Sequence, residues 1–201
     1  MSDSQASSPA LRLIAGLGNP GPEYEQTRHN VGFWLVDEIA ARTGGVFRQE
    51  GRWHCALCKT RLDGHDLLLV KPTTYMNHSG QAVAAVARFF KLAPAELLVV
   101  HDELDLSPGV ARLKAGGGHG GHNGLRDIHS RLGDNGYLRL RLGIGHPGTA
   151  REVTAFVLGR PPQSEREQIE SAMADALDIL PLLLDGKLQP AMNRLHGRGK
   201  P

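Results

Sequence analysis

The chain has 201 residues, of which 40% are hydrophobic and 5% aromatic, and its formal net charge is +2. That length suits one domain with a sizeable core, and the scarcity of aromatics excludes a broad stacking platform for single-stranded bases. No apolar run reaches membrane-spanning length, and residues 1–10 lack the basic start and apolar stretch of a secretory signal.

In chain order, strand and helix signals alternate. Residues 1–10 read as a disordered tail. Residues 11–17 read as a buried strand. Val31, Trp34, Leu35 and Ile39 recur at helical spacing, and the helix should end near Gly44 and Gly45. Residues 53–62, then Asp63-Gly64, then residues 66–70 read as a hairpin. Ser79 is expected to cap an Ala/Val-rich helix that reaches Leu92 and is stopped by Pro94. A second buried strand covers 97–100, a short helix 125–132 and a strand 137–144. A long helix is expected from about Gln163, behind Pro161 and Pro162. This alternation implies an α/β fold, a single-domain three-layer sandwich whose mixed, mostly parallel twisted sheet is flanked by helices. The domain is expected over 11–193, followed by a basic tail over 194–201.

Cys55 and Cys58 fall in a strand-like run, where positions i and i+3 point to opposite faces. No second pair exists to complete a zinc site. Reduced, structural thiols of a cytoplasmic protein are expected. The charge is unevenly spread. Residues 106–145 carry six Lys/Arg against two Asp/Glu, residues 151–185 three against seven, and residues 186–201 four against none. Two basic segments around an acidic one favour a polyanionic partner met on one face.

The densest signal is the run 116–124, in which six of nine residues are glycine and the others are His119, His122 and Asn123. Glycine adds no side chain to a core, so such a run suits a sharp turn or a close approach to a ligand. Three more polar clusters follow strands or precede helices: Asn19 within Gly16-Leu-Gly-Asn-Pro-Gly21, His29 within Thr27-Arg-His-Asn30, and Asn77 within residues 73–80. A fourth, His101-Asp-Glu-Leu-Asp105, follows the strand at 97–100. In open α/β sheets ligands bind beyond the carboxyl ends of the strands, so these clusters are expected to converge. The G-x-G-x-x-G pattern at 16–21 is not read as a dinucleotide fingerprint, because Pro20 and Pro22 bracket its last glycine and helical periodicity waits until Val31. Thr27 or Asn30 is a candidate cap for the helix that follows.

There is no G-x-S-x-G motif, no cysteine in a reactive setting and no P-loop. His119-x-x-His122 with Asp102 or His101 is a conceivable metal set, but glycines between the two histidines give it a flexible scaffold. A histidine base, a carboxylate to orient it and several Asn amides suit activation of water against an ester carbonyl.

The motifs Gly16-Leu-Gly-Asn-Pro-Gly-Pro-Glu-Tyr, Thr27-Arg-His-Asn-Val-Gly-Phe, Lys71-Pro-Thr-Thr-Tyr-Met-Asn-His-Ser-Gly, His101-Asp-Glu-Leu-Asp-Leu, Gly116-Gly-Gly-His-Gly-Gly-His-Asn-Gly and Arg141-Leu-Gly-Ile-Gly-His-Pro closely resemble those of the bacterial peptidyl-tRNA hydrolase family. The resemblance runs in order from about Leu11 to near Asn193. It implies a monomeric, metal-independent esterase without a cofactor. Such an enzyme cleaves the ester between a peptide and the 3′-terminal ribose of tRNA, and it meets the acceptor end and phosphate backbone of its substrate. By position, it implies His29 as catalytic base and Asp102 as its supporting acid. Asn19 would recognise the peptide part, with Asn77 and Asn123 as amides for substrate and water. Tyr24 and Tyr75 would contact the tRNA terminus, and Met76 and His122 would line the pocket. Arg112, Lys114 and Arg141 would lie near phosphates. Tyr75 stands where the family usually has Phe, and His78 where it usually has an apolar residue. His29 is expected to titrate near 6.5, because the helix N-terminus and Asp102 oppose one another. The alternative reading is a non-catalytic RNA-binding module of the same fold.

Overall fold

Strand β1 (Leu13–Gly16) is buried along its whole length and lies at the centre of a seven-stranded sheet. The computed structural model describes residues 8–198. Most of the expected N-terminal tail, and the last three residues of the expected basic tail, lie outside that range. After β1 the chain makes a 3-10 turn (Arg28–Asn30) and enters α1 (Val31–Thr43). There follow β2 (Arg48–Glu50), β3 (Cys55–Leu62), β4 (His65–Pro72) and α2 (Ser79–Phe89). Next come β5 (Leu97–Glu103), β6 (Ala111–Ala115), α3 (Asn123–Leu132) and β7 (Leu138–Gly143). The chain ends in α4 (Val153–Val157), α5 (Gln163–Leu177), α6 (Leu180–Leu184) and α7 (Leu188–Gly197).

The strand order is β2-β3-β4-β1-β5-β7-β6. The central strands β4, β1, β5 and β7 run parallel, while β3 and β6 run against their neighbours. Alternation along β1 and β5 divides two cores. Ile14, Leu98 and Val100 face one side with α1, α5 and α7, while Leu13, Ala15, Leu97 and Val99 face the other with α2 and α3. This is the three-layer α/β sandwich expected of the alternating pattern. Cys55 and Cys58 are free and buried in opposite cores, as a strand's period of two requires. Burial first, then the nearby Glu50 carboxylate, pushes the Cys55 thiol up to about 12, so it holds its proton at neutral pH.

The hairpin turn is Asp63-Gly64, with φ of +48° and +85°, the paired positive values of a type I′ turn. Other expectations shift. Ser79 does not cap α2. It is the first helical residue, its Oγ donates to the Met76 carbonyl at 2.8 Å, and the Asp127 carboxylate from α3 instead accepts from Gly80 N at 2.8 Å. The helix stops at Phe89, short of Leu92, because Lys91 turns left-handed at φ +54°. Neither Thr27 nor Asn30 caps α1. Thr27 Oγ1 donates to the Tyr24 carbonyl, and Asn30 bonds the backbone of Asn19 in both directions at 2.9 Å. Strands β2 and β6 and helices α4, α6 and α7 had no separate forecast. Helix α7 runs across the boundary expected after Asn193, and Leu195 within it is 1% exposed.

Candidate functional site

Close packing of α1 onto β1 brings the polar clusters together. A Cβ on Gly32 would lie 2.4 Å from Leu17 N and 2.5 Å from the Val100 carbonyl oxygen. Only glycine lets the helix start pass so near the ends of β1 and β5. The 3-10 turn just before it is held by Arg28, a buried cation. Its Nη2 meets Glu165 at 2.8 Å, and its Nη1 donates to the Phe156 and Arg160 carbonyls at 3.3 Å. His29 therefore projects from a turn anchored on both sides.

Opposite stands Asp102 near the end of β5, 4% exposed. His29 Nδ1 lies 2.9 Å and 3.0 Å from its two carboxylate oxygens. A carboxylate only accepts, so Nδ1 donates and Nε2 keeps the lone pair. His122 approaches from the other side. It is the N-cap of α3, and its Nδ1 accepts from the amides of Gly124 at 3.2 Å and Leu125 at 3.4 Å. That leaves its Nε2 to donate to Asp102 Oδ1 at 3.0 Å. Asp102 thus carries two imidazoles. Burial works against its charge, but the two histidines outweigh it and hold the carboxyl well below the usual range.

For His29 burial also works against the charged form, yet the charge and hydrogen bond of Asp102 prevail and raise its pKa above 6.5. The expected balance with the helix N-terminus does not hold, because direct contact at 2.9 Å exceeds a partial charge at a helix start. His101, fully buried, is driven down to about 3, chiefly by burial. Its Nδ1 donates to the Asp102 carbonyl at 2.7 Å.

These groups border a cavity of about 640 Å³ whose wall includes Asn19, His29, Tyr75, Met76, Asn77, Asp102, Lys114, His122, Asn123 and Arg141. Asn19 Oδ1 accepts from Met76 N at 2.7 Å, which leaves its Nδ2 as a donor. Asn77 sits in the 3-10 turn before α2, and Asn123 is the first residue of α3. Tyr75 is 57% exposed, and Tyr24 meets it edge-on at 6.3 Å between ring centres without joining the wall. Arg112 also lies outside the wall, with Nη1 donating to the carbonyls of Ala111 and Arg198. His78 is exposed away from the cavity. His119 is part of the wall but does not join His122 in a metal set: its Nδ1 accepts from Gly121 N. Ligating atoms of His29, Asp102 and His122 do lie within 4.8 Å of one another.

Sequence reasoning passed over two parts of this cavity. Leu104, Val153, Val157 and Leu158 give it an apolar side, and α4, which supplies two of them, is too short to show a period. Arg139 also contributes to the wall. It shares a face of β7 with Arg141, and the period of two was the available signal.

Fold and cavity together place a histidine, a buried carboxylate and side-chain amides around one cavity of an α/β sandwich, with no Ser or Cys on its wall among the described residues. Residues 13–201 match the family model described as peptidyl-tRNA hydrolase. The chain is 57% identical over 186 residues to the peptidyl-tRNA hydrolase of Halorhodospira halophila, covering 92% of this chain and 96% of that one. It is 55% identical over 190 residues to that of Azotobacter vinelandii, covering 94% and 98%. The crystal structure of peptidyl-tRNA hydrolase from Acinetobacter baumannii superposes with a TM-score of 0.91 at 47% identity, covering 94% and 95%. The chain belongs to the peptidyl-tRNA hydrolase family.

Proposed function

We propose that this chain hydrolyses the ester joining a peptide to the 3′-terminal ribose of tRNA, with His29 as the general base. The observation that carries this reading is the His29–Asp102 pair, bonded at 2.9 Å and set on the wall of a cavity that also holds Asn19, Asn77 and Asn123. His29 Nε2 takes a proton from water as the water attacks the ester carbonyl. Asp102 stabilises the imidazolium that forms, and the imidazolium then returns the proton to the departing 3′-oxygen. Asn77 and Asn123 hold the water and the developing oxyanion. Asn19 Nδ2 donates to the peptide part. Tyr24 and Tyr75 stack on the tRNA terminus, and Met76 packs beneath it. Lys114 and Arg141 meet backbone phosphates, with Arg112 at the outer end of the same strand pair. Base, acid and donors all come from the chain, so the reaction needs no metal or cofactor. The enzyme acts as a monomer in the cytoplasm.

The deciding experiment compares turnover of a peptidyl-tRNA with that of the unblocked aminoacyl-tRNA, with and without a chelator. Hydrolysis of the first, sparing of the second and indifference to the chelator are expected. Tight tRNA binding without turnover would instead mark a non-catalytic RNA-binding module.

A further inference from the structure

One buried cation at the site takes no part in the reaction scheme. Arg139 on β7 is 3% exposed. Its Nη1 donates to the Gly118 carbonyl at 2.7 Å, and its Nη2 donates to the Gly116 carbonyl. Among the described residues no carboxylate forms an ion pair with it, and its Nε has no hydrogen-bond partner. The Glu103 carboxylate, paired with Arg141, favours the Arg139 charge only from a longer distance. Burying a charge without a direct ion-pair partner is costly, so a guanidinium in this place calls for an explanation. A planar fork can bind two carbonyls at once, which an ammonium cannot do with the same geometry.

The two carbonyls belong to a segment whose own bonds are few: Gly116 N donates to the Tyr137 carbonyl, His122 N to the His119 carbonyl and Gly121 N to His119 Nδ1. Gly116, Gly117, Gly120 and Gly121 have φ of +62°, +95°, +57° and +84°, and their lack of side chains leaves His119, against His129, as the main packing group before His122. It lies directly on the guanidinium, since a Cβ on Gly117 would be 2.9 Å from Arg139 Nη2. The same loop runs into His122 and Asn123, which must arrive in register with Asp102.

We propose that Arg139 is a positioning residue: its guanidinium fork sets the glycine loop so that His122 reaches Asp102 and Asn123 reaches the substrate. This rests on the reading of the His29–Asp102 pair as the reacting centre, with His122 bonded to the same carboxylate.

Arg139→Lys keeps the charge and loses the fork, while Gly117→Ala presses on the fork from the loop side. For each, kcat and KM on peptidyl-tRNA are measured, together with hydrogen exchange over residues 117–123 and the NMR resonance of the His122 Nε2 proton. Both variants should lose up to about 100-fold in kcat with little change in KM. Loop exchange should quicken, and the His122 proton signal should weaken, while exchange in β1 and β5 stays protected. If Arg139→Lys fails to fold, Gly117→Ala is read beside Gly121→Ala, whose backbone at φ +84° is strained alike but whose added methyl meets nothing within 4 Å: a larger effect at Gly117 supports the clamp, and equal effects overturn it. Unchanged loop exchange with an intact His122 signal in a folded variant would overturn the clamp, whatever the activity. His122→Asn, run beside them, separates the two failures: wild-type kcat in that variant shows that the His122–Asp102 bond does not matter for turnover and takes the proposed consequence with it.

Discussion

His29 and His122 converge on one oxygen atom: Asp102 Oδ1 lies 2.9 Å from His29 Nδ1 and 3.0 Å from His122 Nε2. Their rings are 5.2 Å apart, centre to centre. The two histidines are not equivalent. His122 uses its Nδ1 to cap α3, so both of its nitrogens are committed to the scaffold, whereas the Nε2 of His29 remains for a proton.

Removal of that base has a large expected effect. His29→Ala should lower kcat by about two to four orders of magnitude and leave the fold intact, since His29 is outside both apolar cores. Single-turnover kinetics with circular dichroism checks this. Activity within a few-fold of wild type would remove His29 from the mechanism.

The pH profile follows from the raised pKa of His29. With His29 as the proposed base its deprotonated ring is the active form, so kcat/KM should be full above that pKa and fall as the pH drops through it, with the midpoint above 6.5. In Asp102→Asn the influence that raises the pKa is gone while burial, which lowers it, stays. The acid limb should therefore move to lower pH and the plateau should fall, though less than in His29→Ala. A minimal peptidyl ester is the substrate of choice, because it avoids phosphate contacts. A limb that stays in place would show that the two residues are uncoupled.

Stability should fall on the acid side for a different reason. His101 is neutral and buried in the folded chain, with a pKa near 3 against 6.5 for an ordinary histidine. Between those values the unfolded chain binds a proton that the folded chain does not. Stability is thus lost as pH falls from about 6.5 towards 3, with a slope of up to about 1.4 kcal/mol per pH unit for one proton. His129 and His196 are also shifted down, chiefly by burial, and add to wild type and variant alike. Denaturant unfolding across this range should give a shallower slope for His101→Asn. Equal slopes would mean that His101 is not the group being protonated.

Phosphate contacts should show themselves through salt. Arg112 pairs with Arg141, and Lys114 with Arg139, across the β6–β7 ladder, so four cations face one another. Like charges directly opposed are unfavourable, and the Glu103 carboxylate offsets this at Arg141, 2.8 Å away. Lys114→Ala should raise KM with little change in kcat, and it should flatten the salt dependence of tRNA binding by about one unit of slope per lost contact. Arg141→Ala should behave alike. Unchanged slopes for Lys114→Ala, Arg141→Ala and Arg112→Ala would put the tRNA on another face.

A substitution with no functional group at stake tests how the site is assembled. Gly32→Ala would force a methyl against Leu17 N and the Val100 carbonyl, both backbone atoms that cannot swing aside. A loss of about 1–3 kcal/mol is expected from overpacking, with a drop in kcat as His29 is lifted from Asp102. Wild-type stability and activity together would show that the helix start is not seated as tightly as described.

Much of the frame was legible in the chain itself. Continuous apolar runs at 13–16 and 97–100, a helical stripe through Val31, Leu35 and Ile39, and Asp63-Gly64 between two strands are local patterns with local causes. The motifs around Asn19, His29, Asn77, Asp102 and Asn123 were just as plain. What local pattern could not reveal was decided by contact between distant segments. Strand β6 has only Ala111 and Leu113 facing inward and becomes a strand because β7 is there to pair with it. The first turn of α2 takes its side-chain partner from Asp127, forty-seven residues away in the chain. The pKa of His29 depends on a carboxylate seventy-three positions along, which close packing at Gly32 brings within hydrogen-bond reach. Arg139 looks like an ordinary residue of an alternating strand until the glycine loop folds over it, because a single side chain's role depends on which backbone comes to lie against it.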